Sequence, residues 1–125
     1  MAKVSVCIDI LEMDKAIQFY TKALGFELVQ KKGQYTELLA DGLTIYLSEN
    51  EAGTNPLINE KATRNYERHW TPIHLDVHVS DLDKCVALVV ELGGVKEDEK
   101  NGDWGSAAFC ADPFGNGFCV MQYNN

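Results

Sequence analysis

Val4-Ser5-Val6-Cys7-Ile8-Asp9-Ile10 and Ile73-His74-Leu75-Asp76-Val77-His78-Val79 lie over one another at an offset of 69 residues. Apolar side chains fall on Val4, Val6, Ile8 and Ile10 in the first stretch and on Ile73, Leu75, Val77 and Val79 in the second. Successive side chains of a strand point to opposite faces, so this alternation marks a half-buried strand. The same strand written twice points to a chain built from two copies of one unit.

The correspondence runs on. Glu12-Met13-Asp14-Lys15 aligns with Asp81-Leu82-Asp83-Lys84 at the same offset, and each opens an amphipathic helix. Met13, Ala16, Ile17, Tyr20, Ala23 and Leu24 recur at helical spacing, as do Leu82, Cys85, Val86, Val89 and Leu92. Asp81 is a good N-cap, and Asp14 and Asp83 stand near the positive ends of the helix dipoles. Gly25 and Gly94, again 69 apart, are expected to stop the helices in the left-handed conformation. Short strands at Glu27–Lys31 and Val95–Glu99 follow. Tyr35–Asp41 then matches Ser106–Asp112 at an offset of 71, and Thr44–Leu47 matches Gly117–Val120 at an offset of 73. Turns at Asp41-Gly42 and Asp112-Pro113-Phe114-Gly115-Asn116-Gly117 join them. Each half therefore reads β-α-β-β-β.

The length of 125 residues suits one domain. The expected layout is a single domain over 1–125, with a first module over about 1–50, a connector over about 51–72 and a second module over about 73–125. Hydrophobic residues at 46% and charged residues at 24% are the balance of a soluble globular protein. A net charge of −8, with no basic cluster, disfavours nucleic acid and anionic membrane surfaces as partners. The longest apolar run, Cys85–Val90, is too short to span a bilayer. The N-terminal Met1-Ala2-Lys3-Val4-Ser5-Val6 lacks the apolar run of a signal peptide, so the expected compartment is the cytoplasm. There Cys7, Cys85, Cys110 and Cys119 stay reduced, and none forms the Cys-x-x-Cys pair of a structural zinc site.

Three segments carry a family resemblance. They are Asp14-Lys15-Ala16-Ile17-Gln18-Phe19-Tyr20 with Leu24-Gly25-Phe26, then His74-Leu75-Asp76-Val77-His78-Val79-Ser80-Asp81-Leu82-Asp83, then Asp112-Pro113-Phe114-Gly115-Asn116-Gly117-Phe118. In this order the chain resembles the vicinal oxygen chelate superfamily, the group of glyoxalases, bleomycin-resistance proteins and extradiol dioxygenases. The resemblance implies an α+β fold in which two repeated β-α-β-β-β modules form a cupped, barrel-like mixed sheet around a ligand or metal. It also implies a homodimer. In metal-dependent relatives one ligand comes from the first strand of each module and one from its last. Carried onto this chain, those positions are Ser5, Tyr46, His74 and Cys119, and only His74 is a family-like ligand. Ser5 and Tyr46 are poor ligands for a divalent ion. The expectation is no metal and no other cofactor, a divalent metal being the alternative.

Within such a fold, alternation assigns the side chains that face the cup. With Val4, Val6, Ile8 and Ile10 packed beneath a helix, Ser5, Cys7 and Asp9 face inward, as do His74, Asp76 and His78. Thr44, Tyr46, Ser48, Glu37, Cys119 and Met121 join them. At about 3.3 Å per residue, His74 and His78 sit roughly 13 Å apart, too far to share an ion. His74 with Asp76 needs a third donor, such as Glu37 or Cys119. The expected ligand-binding residues are Ser5, Asp9, Glu37, Tyr46, His74, Asp76, His78 and Cys119, with Trp70 and Trp104 as walls. His74 and Glu37 are candidates for metal-free acid/base work. Asp9, Glu37 and Asp76 give the cup a negative lining, which favours neutral or cationic ligands.

The connector ends Arg64-Asn65-Tyr66-Glu67-Arg68-His69-Trp70-Thr71-Pro72. Connections this long tend to be functional, and this one carries groups suited to closing over a ligand or docking a second subunit. The sequence thus reads as a metal-independent protein that binds a small organic molecule in the cup. Two other readings stay open: a glyoxalase-like or dioxygenase-like metalloenzyme with a degenerate metal site, and a non-catalytic dimeric interaction domain. Whether the chain is an enzyme is left open.

Overall fold

A computed structural model describes residues 1–58, 62–69 and 71–125. The first module runs β1 (Ser5–Ile10), α1 (Met13–Gln18) continued by a π-helical turn (Phe19–Ala23), β2 (Glu27–Lys32), β3 (Tyr35–Ala40) and β4 (Leu43–Glu49). The second runs β5 (Leu75–His78), α2 (Leu82–Glu91), β6 (Val95–Gly102), β7 (Gly105–Ala111) and β8 (Gly117–Tyr123). Two four-stranded sheets result, ordered β1-β4-β3-β2 and β5-β8-β7-β6. In each, the first strand pairs in parallel with the last, and the remaining pairs are antiparallel. This is the expected α+β fold of two repeated modules. The sheets form a cupped arrangement that is not closed into a barrel.

The repeat extends to how each helix is started. The backbone N–H of Met13 donates to Glu49 Oε2 at 2.7 Å, and that of Leu82 donates to Gln122 Oε1 at 2.7 Å. In both modules the end of the last strand thus satisfies a donor that the helix itself leaves open. Asp81 adds the expected N-cap, accepting from the backbone of Lys84 at 3.1 Å.

Two details depart from the sequence reading. The first helix widens into a π turn after Gln18, which brings both Phe19 and Tyr20 into the core; helical spacing alone assigned only Tyr20 there. In the second module it is Gly93, at φ +97°, that adopts the left-handed conformation, not Gly94. Gly94 is buried for a different reason. A Cβ on it would lie 2.7 Å from Val89 Cγ1, 2.8 Å from the Ala111 carbonyl oxygen and 2.9 Å from Phe19 Cε2. Only a residue without a side chain admits the first module's Phe19 ring at that point.

The modules meet through their helix-bearing sides. Ile10, Leu38, Ile45 and Leu47 of the first sheet and Phe118 and Val120 of the second join one hydrophobic core with the residues of both helices. The Phe19 ring meets Phe118 edge-on at 5.9 Å, and the Cys85 thiol donates to the Ala23 carbonyl at 3.3 Å. The Tyr20 hydroxyl donates to Asp112 Oδ2 at 2.6 Å. Fully burying each such aliphatic or aromatic side chain stabilises the fold by about 1.5–3 kcal/mol. No helix among the described residues is long and apolar enough to cross a membrane.

Candidate functional site

Because the helix-bearing sides share one core, alternation turns the other side of each sheet to the outside. On the first sheet this open face carries Ser5, Cys7, Thr44, Tyr46 and Glu37, and register places Cys7 beside Tyr46 and Tyr46 beside Glu37. Tyr35, 51% exposed, and Leu39, 36% exposed, flank that row. On the second sheet register aligns Asp76, Cys119, Phe109 and Asp98 across four strands, with His78 beside Met121. The His78 ring stacks on Tyr123 at 5.3 Å, and Trp104 meets Tyr123 edge-on at 5.8 Å. The candidates expected around one cup are therefore divided between two open faces of the chain. Trp70, the other expected wall, lies outside the described residues.

The four positions carried over from metal-dependent relatives are divided in the same way. Ser5 and Tyr46 sit on the first sheet, Cys119 sits on the second, and His74 immediately precedes β5. They do not fit a metal as a set within this chain. The alternative of His74 and Asp76 with Cys119 as third donor does come together: donor atoms of the three all lie within 4.8 Å of one another. His74 Nε2 is 3.1 Å from Asp76 Oδ1. The parallel pairing of β5 with β8 places Cys119 directly beside Asp76. Burial first, and then the Asp76 carboxylate, push the Cys119 thiol up to about 11, so without a cation it stays protonated and hydrogen-bonded to Asp76. A nitrogen, an oxygen and a sulfur donor suit zinc, which such a site would hold as a Lewis acid. A cavity of about 210 Å³ opens beside His74 and Cys119, walled by Phe109, Asp98 and Arg68.

A second cleft lies elsewhere, with about 490 Å³ between β1 and the start of β5. Its apolar lining includes Val6, Ile8, Tyr20, Ile73, Leu75 and Phe118, and the connector lies across it. Arg64 Nε donates to Asp9 Oδ2 at 3.0 Å, and Asn50 Nδ2 donates to Asp9 Oδ1 at 3.1 Å. The Tyr66 hydroxyl hydrogen-bonds the carbonyls of Asn50 and Ile10. Burial, reinforced by the Asp9 carboxylate, raises the pKa of Cys7 and of Tyr66 above their ordinary values. Arg68 clasps Glu97 through two bonds of 2.7 and 2.9 Å. Of the ten expected ligand contacts, this cleft takes Asp9 and His74. Arg64, Asn65, Tyr66 and His69 also line it. The length and composition of the connector signalled such a role, without assigning it residue by residue.

Comparison with known proteins agrees with this architecture. The glyoxalase-like domain family matches residues 5–121. No curated protein matches the chain. Among solved structures, the fosfomycin resistance protein FosX from Listeria monocytogenes superimposes with a TM-score of 0.73 at 15% identity, covering 99% of this chain and 94% of that one. FosX has also been solved with Mn(II) and sulfate. TnmS3, an antibiotic-binding protein from Streptomyces sp. CB03234, superimposes with a TM-score of 0.67 at 21% identity, covering 99% and 98%. A hypothetical protein from S. aureus gives 0.71 at 20% identity, covering 98% and 97%. At these identities the superpositions speak for the fold, and the match over residues 5–121 speaks for the family: the chain belongs to the glyoxalase-like family of the vicinal oxygen chelate superfamily.

Proposed function

We propose that the protein binds a small neutral or cationic organic molecule in a cup completed by a second copy of the chain. The division of the polar anchors between two open faces supports this reading. Helices occupy the space between the sheets of one chain, so Glu37 and Tyr46 cannot meet Asp76 and His78 within it. A second copy brings the first face of one chain opposite the second face of the other and covers Tyr35, Leu39, Trp104 and Tyr123 together. Glu37, Asp76 and Asp98 then give the cup its negative lining. The cleft under the connector suits a ligand less well. Its carboxylate is engaged by Arg64 and Asn50, and its phenol by two carbonyls, so its polar groups already satisfy one another.

The likeness to an antibiotic-binding protein, TnmS3, agrees with small-molecule binding. A thermal-shift panel of neutral, cationic and anionic aromatic compounds tests the ligand class; stabilisation by carboxylates and phosphates alone would overturn it. Subunit mixing tests the shared cup. Tyr46→Ala and His78→Ala are each expected to abolish binding in the pure protein. Mixing the two variants is expected to restore one working cup in each mixed dimer, measured as ligand bound per chain. A monomer by sedimentation, or no restoration on mixing, would refute a cup shared between chains.

A further inference from the structure

We propose that His74, Asp76 and Cys119 form a zinc-selective site built within a single chain. This inference rests on the three-residue cluster and not on the second copy. The donors come from one end of one sheet. Asp76 and Cys119 are register partners on the parallel strands β5 and β8, and His74 stands at the entry to β5 with its Nε2 3.1 Å from the Asp76 carboxylate. Zinc binds nitrogen, oxygen and sulfur at about 2.0–2.3 Å, so donors on one ion stand within roughly 4 Å of each other. Donors already within 4.8 Å reach that spacing by small side-chain rotations.

The chemistry of the set decides which ion it takes. As zinc binds, the Cys119 thiol gives its proton to solvent, the thiolate becomes a ligand, and no electron is transferred. A thiolate and a carboxylate together balance the two positive charges of the ion, with a neutral imidazole as third donor. Sulfur favours zinc and other thiophilic ions, whereas manganese prefers oxygen-rich surroundings. The site therefore differs from one suited to the Mn(II) held by FosX. Three protein ligands leave a fourth position, and the cavity of about 210 Å³ beside His74 and Cys119 gives room for it. Asp76 performs this role from a position that is not one of the four carried over from metal-dependent relatives.

The test uses the untagged, reduced, full-length chain, freed of metal by a chelator and titrated with Co(II), Zn(II) and Mn(II) separately. Co(II) is expected to bind one per chain with a thiolate-to-cobalt charge-transfer band in the near ultraviolet, and Zn(II) to displace it. Mn(II) is expected to bind at least about 100-fold more weakly than Zn(II). Cys119→Ser should remove the charge-transfer band while leaving the circular dichroism unchanged. His74→Gln, a change at an exposed position, should weaken Zn(II) by about 10-fold or more whether or not the buried Cys119 tolerates replacement. Three results would overturn the proposal: absence of the band, its persistence in Cys119→Ser, or Mn(II) binding as tight as Zn(II). None of them bears on the shared cup, whose test uses Tyr46 and His78; with zinc bound, Asp76 is neutralised and Glu37 and Asp98 remain as the cup's negative lining.

Discussion

Asp112→Ala is expected to destabilise the protein by about 3 kcal/mol, a fall of roughly 10 °C in Tm. The residue closes the turn between β7 and β8 as a buried acceptor. Its carboxylate takes the Tyr20 hydroxyl at 2.6 Å, the backbone N–H of Phe114 at 2.8 Å and of Asn116 at 2.9 Å, and Asn116 Nδ2 at 3.0 Å. Asn116 in turn donates to the Asp9 carbonyl at 3.0 Å, which ties the second module's turn to β1. Alanine leaves three of these donors without a partner in a largely buried site, and each orphaned group costs about 1–3 kcal/mol. Removing the buried charge offsets part of that loss. Tyr20→Phe removes one donor and leaves the other bonds in place, so it is expected to cost about 1 kcal/mol. Denaturant titration measures both, and an Asp112→Ala chain as stable as the parent would refute the assignment.

The same residue sets a pH dependence. Burial raises the Asp112 pKa above its ordinary value, outweighing the hydrogen bonds from Tyr20, Asn116 and Phe114 that lower it. A carboxyl whose folded pKa lies above its unfolded value of about 3.9 binds its proton more tightly in the native state. Its stabilising contribution is complete below the unfolded pKa and is lost as the pH rises through the folded one. Asn at this position is neutral throughout. The stability of the parent relative to Asp112→Asn should therefore improve as the pH falls from neutral towards the ordinary carboxylate range. Parallel stability curves for the two proteins across that range would contradict the burial effect.

What the sequence made legible is local. Period-two alternation assigns Val6, Ile8, Ile45 and Leu47 to the core side of their strands, whereas the matching helix-start bonds from Glu49 and Gln122, which also lie 73 apart, show only in the structure. Alternation says which side of a strand a residue takes, and nothing about which other face that side meets. Ser5, Glu37 and Tyr46 were thus assigned to the open side while their separation from Cys119 stayed hidden, because it depends on where the helices dock. The bond from Arg64 to Asp9 spans 55 residues and leaves no periodic trace. Cys119 and Glu37 both stood open as a third donor for His74 and Asp76; the β5–β8 register, which no single-strand pattern specifies, decides for Cys119. The π turn that buries Phe19 is likewise selected by packing against Phe118 and Gly94 and not by local propensity.

Gly115→Ala is the second large effect, expected at about 2–3 kcal/mol and concentrated in the connector. Gly115 has φ +83°, a conformation that costs an L-residue about 1 kcal/mol by itself. A Cβ there would lie 2.8 Å from the Tyr66 carbonyl oxygen and 2.9 Å from the carbonyl carbon and oxygen of Glu67. Those atoms are backbone, so they cannot swing aside as a side-chain tip does; the connector has to lift from the turn. Lifting it withdraws the Tyr66 hydroxyl from the carbonyls of Ile10 and Asn50 and pulls Arg64 away from Asp9. Gly42→Ala provides the control, because Gly42 has φ +84° and nothing within 4 Å of its added Cβ. Both variants carry the conformational strain, and only Gly115→Ala carries the collision. Trypsin cleavage after Arg64 and Arg68 is therefore expected to accelerate by about 10-fold or more in Gly115→Ala and to change little in Gly42→Ala. Equal acceleration in the two would mean that strain in the turns, and not the seating of the connector on Gly115, governs access to the cleft.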